Sequence, residues 1–121
     1  MLKFTAWVFG VFFIVIGILG FLPQTAAGGM LFGLFKVNFL HNLIHFTTGV
    51  IAISMVNQAR LFFCLFGMLY LLVAILGFWY GDHAIFGWLA NNYADAILHA
   101  LIAAFALYMG FGYKRKLRQA E

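Results

Sequence analysis

Four long apolar runs fill almost the whole chain, at about 4–22, 38–56, 60–79 and 92–113, each bounded to within about two to four residues. A run that crosses a bilayer as a helix needs roughly 20 such residues, so each qualifies as a span. Pro23 ends the first run, because proline cannot continue a helix without losing a backbone hydrogen bond. The break Asn57-Gln58-Ala59 is short enough to force an antiparallel helical hairpin. The other two connections, about 23–37 and 80–91, are rich in glycine and aromatic residues. Gly28-Gly29 reads as a flexible turn, and Met30-Leu31-Phe32-Gly33-Leu34-Phe35 as a membrane-hugging or re-entrant segment, an interfacial helix.

Composition agrees with lipid as the solvent. Of the 121 residues, 66% are hydrophobic and only 8% charged, against about a quarter charged in a soluble domain. The expected fold is therefore all-α: an integral membrane four-helix bundle. The N-terminal run resembles a signal peptide, but it is too long for a signal core, lacks a close cleavage pattern and recurs later as an ordinary span. A single cysteine, Cys64, excludes an intrachain disulfide and a cysteine zinc cluster, and its apolar surroundings make it a packing residue.

The formal charge is +4, with four of the seven basic residues in the tail at Lys114, Arg115, Lys116 and Arg118. That clustering is not a nucleic-acid footprint, so the expected partner is the lipid bilayer. Lys3, Arg60 and the 114–121 tail fall on one side of the spans and only Lys36 on the other. The positive-inside rule then puts both termini in the cytoplasm, as expected for a multi-pass protein of a bacterial inner membrane. The loops Pro23 to Lys36 and Tyr80 to Asn91 face outward, with Trp79, Tyr80, Trp88 and Tyr93 at that boundary. A homo-oligomer or another membrane partner is left open.

The chain is also duplicated. Phe9-Gly10 and Gly20-Phe21 of the first run return as Phe66-Gly67 and Gly77-Phe78 in the third, 57 residues on. Asn38-Phe39-Leu40-His41-Asn42-Leu43-Ile44-His45 returns as Asn92-Tyr93-Ala94-Asp95-Ala96-Ile97-Leu98-His99, 54 residues on. Two helical hairpins of like orientation follow, repeat 1 at about 4–56 and repeat 2 at about 60–113, related by an axis along the membrane normal. Small positions such as Gly10, Gly17, Gly20, Gly49, Gly67 and Gly77 allow close helix approach.

Spacing of four puts His41 above His45 on one helix face, and Asp95 above His99 on another. These groups are costly in lipid and must face inward, converging near the repeat axis. Several chemistries share that pattern. One is a structural polar network closed by Thr47 or Thr48. A second is a metal site with ligands His41, His45, Asp95 and His99, which suits Zn, Cu, Fe or another first-row transition metal. A third is b-type haem held by His45 and His99. A proton relay, a small-molecule site or a small membrane enzyme also fits. Asn38, Asn92, Thr48 and His83 would form the surrounding polar layer, although His83 reads first as an exposed loop residue. No lysine lies within a span for a Schiff base, and no Walker loop, GxSxG or cysteine nucleophile is present.

The segment from Leu31 to His45 followed by Thr48-Gly49, together with Asn92-Tyr93-Ala94-Asp95 and Leu98-His99, resembles a bacterial family of small four-span membrane proteins, domain of unknown function 4383. The glycine-ended first and third runs extend the resemblance over nearly the whole chain. It implies the four-helix fold and points to the same polar residues, and it implies no activity.

Overall fold

The computed structural model describes residues 1–113; the basic tail expected at 114–121 lies outside the described residues. The chain is an all-α bundle of four helices. These are α1 (Leu2–Phe21), α2 (Phe39–Ser54), α3 (Ala59–Tyr80) and α4 (Tyr93–Leu107), the last extended by a π-helical turn over Tyr108–Gly112. α1 stops where the sequence requires. Leu22 is extended, at φ −88° and ψ 128°, as the residue before a proline must be. α2 begins at Phe39 because the Asn38 side chain accepts the His41 N–H, and α4 begins at Tyr93 because Asn92 accepts the Asp95 N–H.

Three helical stretches, Leu2–Phe21, Val56–Tyr80 and Tyr93–Gly112, are long and apolar enough to cross a membrane. α2 is apolar but shorter, at 16 residues, about 24 Å of helix. The outward faces carry half-exposed Val8, Val11, Leu61, Leu65 and Leu72, so the exterior is as apolar as the interior. In water such a surface would aggregate; in a bilayer it is the expected one.

α1 packs along α2 and α3 along α4. The α1–α2 pair closes at Gly10 and Gly49. A Cβ on Gly49 would lie 2.5 Å from the Gly10 carbonyl and 2.8 Å from the Ile14 amide, so only glycine permits this approach. The two pairs meet through a buried aromatic core in which Phe9 and Phe62 centroids are 5.6 Å apart, Phe9 and Phe63 5.4 Å, and Phe13 and Tyr70 5.5 Å. At one end, Arg60 donates to the carbonyls of Gly110 (2.9 Å) and Tyr113 (2.7 Å), tying the start of α3 to the end of the chain's last turn.

The first connection corrects the sequence reading. The Met30–Phe35 run is no interfacial helix but part of a β-hairpin, β1 (Met30–Leu31) against β2 (Phe35–Lys36), antiparallel with Leu31 opposite Phe35. The reason is local. Phe32 and Gly33 both take left-handed backbone, φ 54° and 69°, and Leu34 N–H closes the turn on Leu31 C=O at 3.0 Å. The second connection repeats it: Ile85 pairs with Leu89, Phe86 and Gly87 lie at φ 54° and 83°, and Trp88 N–H closes on Ile85 C=O at 3.2 Å. Leu31-Phe32-Gly33 and Ile85-Phe86-Gly87 are again 54 residues apart.

A buried three-histidine centre

α2 places His41 and His45 one turn apart, and α4 brings His99 against both. Ring centroids are 4.5 Å apart for His41 and His45, 5.6 Å for His41 and His99, and 5.8 Å for His45 and His99. Each ring can offer one nitrogen such that the three atoms lie within 4.8 Å of one another. All three residues are buried, at 2%, 4% and 3% exposure.

Their hydrogen bonding is sparse. His41 Nδ1 lies 2.8 Å from the Ala90 carbonyl. A carbonyl only accepts, so Nδ1 carries the proton and Nε2 turns an unprotonated lone pair to the interior. That Nε2, both ring nitrogens of His45 and Nδ1 of His99 are buried without a hydrogen-bond partner among the described residues. Buried polar atoms are almost always paired, so a concentration of four such atoms in three touching rings is informative.

Two further side chains close the layer beneath. Thr48 Oγ1 donates to the Ile44 carbonyl at 2.8 Å. Its one proton is thereby used, so the Tyr70 hydroxyl, 3.0 Å away, donates to Thr48. The Tyr70 ring sits 5.6 Å from His99, and Phe13 sits 5.4 Å from His45. Tyr70 was not singled out in the sequence. Its signal was there: in the 57-residue repeat Tyr70 replaces Phe13, a polar change within an apolar run.

Asp95 is placed differently from the three histidines. Buried at 1% exposure, it is outside the group whose nitrogens approach within 4.8 Å. Its Oδ2 accepts the backbone N–H of Asn92 at 3.0 Å, completing a capping box, and that of Lys36 at 3.1 Å. Asn38 and Asn92 act as bolts between the connections. Asn38 Nδ2 donates to the Trp88 carbonyl and Asn92 Nδ2 to the Leu34 carbonyl, each at 3.0 Å. His83 is exposed; its carbonyl receives Asn91 Nδ2 at 3.4 Å. Asn42 and Asn91, also absent from the sequence reading, are buried helix-end amides. Asn91 Nδ2 donates to the carbonyls of Gly77 (3.0 Å) and Gly81 (2.8 Å), and Asn42 fills the space that a Cβ on Gly20 would occupy.

The histidines line a cavity of about 240 Å³ between α2 and α3, walled otherwise by Ile44, Leu69, Tyr70, Val73 and Leu89. On the opposite flank a cavity of about 140 Å³ reaches His45 and Asp95 between α1, the first hairpin and α4. Its walls include Phe12, Ile16, Phe35 and Leu98, which the repeat offsets equate with Leu69, Val73, Leu89 and Ile44. The centre therefore has an apolar approach on each side.

No curated protein and no solved structure matches the chain. One family model matches, over residues 3–112, across both hairpins and all three histidines. On that match the chain belongs to the family described as Domain of unknown function (DUF4383).

Proposed function

We propose that this chain is a metal-binding protein of the bacterial inner membrane, built from two helical-hairpin repeats with both termini cytoplasmic, and that His41, His45 and His99 hold one first-row transition-metal ion near its outer face. The observation that carries the reading is the convergence of three buried imidazoles with four unpartnered ring nitrogens. A network serving only helix register would pair those atoms. The hydrogen bond from His41 Nδ1 to Ala90 is the support that metal-ligating histidines ordinarily have, holding the ring and aiming its other nitrogen. Metal–nitrogen bonds of about 2.0–2.1 Å require ligand nitrogens about 3.3–4 Å apart, so the rings close inward by less than about 1 Å on binding.

The reciprocal bonds between the two connections support the repeat reading. His41 supplies a ligand where Asp95 supplies an anchor, so the ligand set is three imidazoles without a carboxylate. Haem is disfavoured by the same geometry. A macrocycle ligated by His45 and His99 would have to lie between them, where the His41 ring packs 4.5 Å from one and 5.6 Å from the other.

The test is elemental analysis of protein purified in detergent without chelator, then reloaded with metal after chelation. One metal per chain, lost in His45→Ala and His99→Ala variants that still melt cooperatively, supports the site. Folded protein that takes up no metal refutes it.

A further inference from the structure

The two carboxylates among the described residues bear on which metal the centre holds. Asp82 is exposed in the second connection, and Asp95 gives its Oδ2 to two backbone amides outside the histidine group. The centre therefore offers three neutral ligands. The cavity wall next to it is Ile44, Leu69, Val73 and Leu89. The one hydroxyl on that wall, Tyr70, gives its proton to Thr48, whose own proton goes to Ile44. No side chain lining this cavity has a proton to spare for a metal-bound hydroxide.

Those facts separate the candidate ions. The cost of burying an ion rises with the square of its charge, so a dication costs about four times as much as a monocation of like size. A zinc ion on three histidines keeps a fourth ligand, a water or hydroxide, which needs room and hydrogen bonds. Imidazole suits copper as well as zinc. Cu(I) is a closed-shell monocation that is satisfied by three nitrogen donors in a plane and needs no water. We infer that the three-histidine centre is selective for Cu(I) over divalent zinc, because its neutral ligands, committed aspartate and apolar wall accommodate one positive charge and no hydroxide. This rests on the metal-binding function proposed above.

The experiment titrates the full chain in detergent, under argon with a reductant, with Cu(I) buffered by bicinchoninate, whose colour reports free Cu(I). A parallel titration uses Zn(II) with a chromophoric zinc chelator. One Cu(I) per chain is expected, unmoved by a tenfold excess of Zn(II), with an X-ray absorption edge of three-coordinate Cu(I). His45→Phe, which keeps the ring volume, should abolish uptake while melting cooperatively; His99→Gln serves as the second variant if it does not fold. Zinc that displaces Cu(I), or binds alone at one per chain, overturns the inference and leaves the metal-binding reading standing. Folded protein that binds neither ion overturns both.

Discussion

His41 and Asp95 hold equivalent positions in the two copies of one pattern, and they make opposite bonds to equivalent partners. His41 Nδ1 donates to the Ala90 carbonyl at 2.8 Å, whereas Asp95 Oδ2 accepts the Lys36 N–H at 3.1 Å. Ala90 and Lys36 are themselves 54 residues apart. Each side chain thus ties its helix to the connection of the other hairpin. A backbone offers both a donor and an acceptor, so histidine and aspartate can each fill the place. Only histidine has a second nitrogen left for the interior.

Asp95 should accordingly be needed for folding and not for metal uptake. Asp95→Asn keeps an amide oxygen to accept both N–H groups and is expected to retain metal stoichiometry. Asp95→Ala orphans two backbone donors and should lose about 1–3 kcal/mol in a detergent-denaturation titration. Loss of metal from a folded Asp95→Asn protein would mean that the carboxylate is a ligand after all.

Asn38 and Asn92 each cap a helix and bridge to the opposite connection. Asn38→Ala and Asn92→Ala should each cost about 1–3 kcal/mol, the sum of a lost cap and a lost hydrogen bond. Their effects should match closely, since the paired bonds are equal in length. Chemical unfolding of the two variants side by side measures this, and a large inequality would contradict the equivalence of the two connections.

Tyr70→Phe removes the proton given to Thr48 and leaves the ring packing intact. Stability should fall by about 0.5–1.5 kcal/mol. Metal stoichiometry should not change, because the hydroxyl bonds Thr48 and not a histidine. Parallel melting and metal analysis distinguish this from a direct ligand role.

Gly49→Ala probes the closest helix approach. The added methyl meets the Gly10 carbonyl and the Ile14 amide, which are backbone and cannot rotate aside. A loss of about 1–3 kcal/mol is expected, with α1 and α2 pushed apart. Gly33→Ala is strained for another reason, its φ of 69°, although nothing lies within 4 Å of the added atom. Cooperative melting temperatures of the two variants read both effects.

Metal should also stabilise the fold, since its ligands come from α2 and α4, which belong to different hairpins. At a free concentration 100 times its Kd, a ligand specific to the folded state adds about 2.7 kcal/mol. The melting temperature should rise with added metal and return on chelation, and the rise should be absent in His99→Ala.

Apolar runs, Pro23 and the Asn-led motif are enough to write the four helices, because each is a local instruction. Lipid-length hydrophobicity demands helix, proline stops it, and an asparagine side chain starts it. The inward placement of His41, His45 and His99 also follows locally, from a spacing of four within a helix. The β-hairpins were legible too, as a Phe-Gly pair in both connections, but their apolar residues imitate an interfacial helix. The division of labour among the polar residues was decided by tertiary structure alone. Whether Asp95 faces a metal or a backbone amide depends on where Lys36, 59 residues away, comes to rest. Tyr70 joins the layer under the histidines because α3 lies against α4, a contact that no periodicity within α3 contains. Local sequence sets which face of each helix is polar; only the docking of the two hairpins sets which polar atoms find partners and which are left for a ligand.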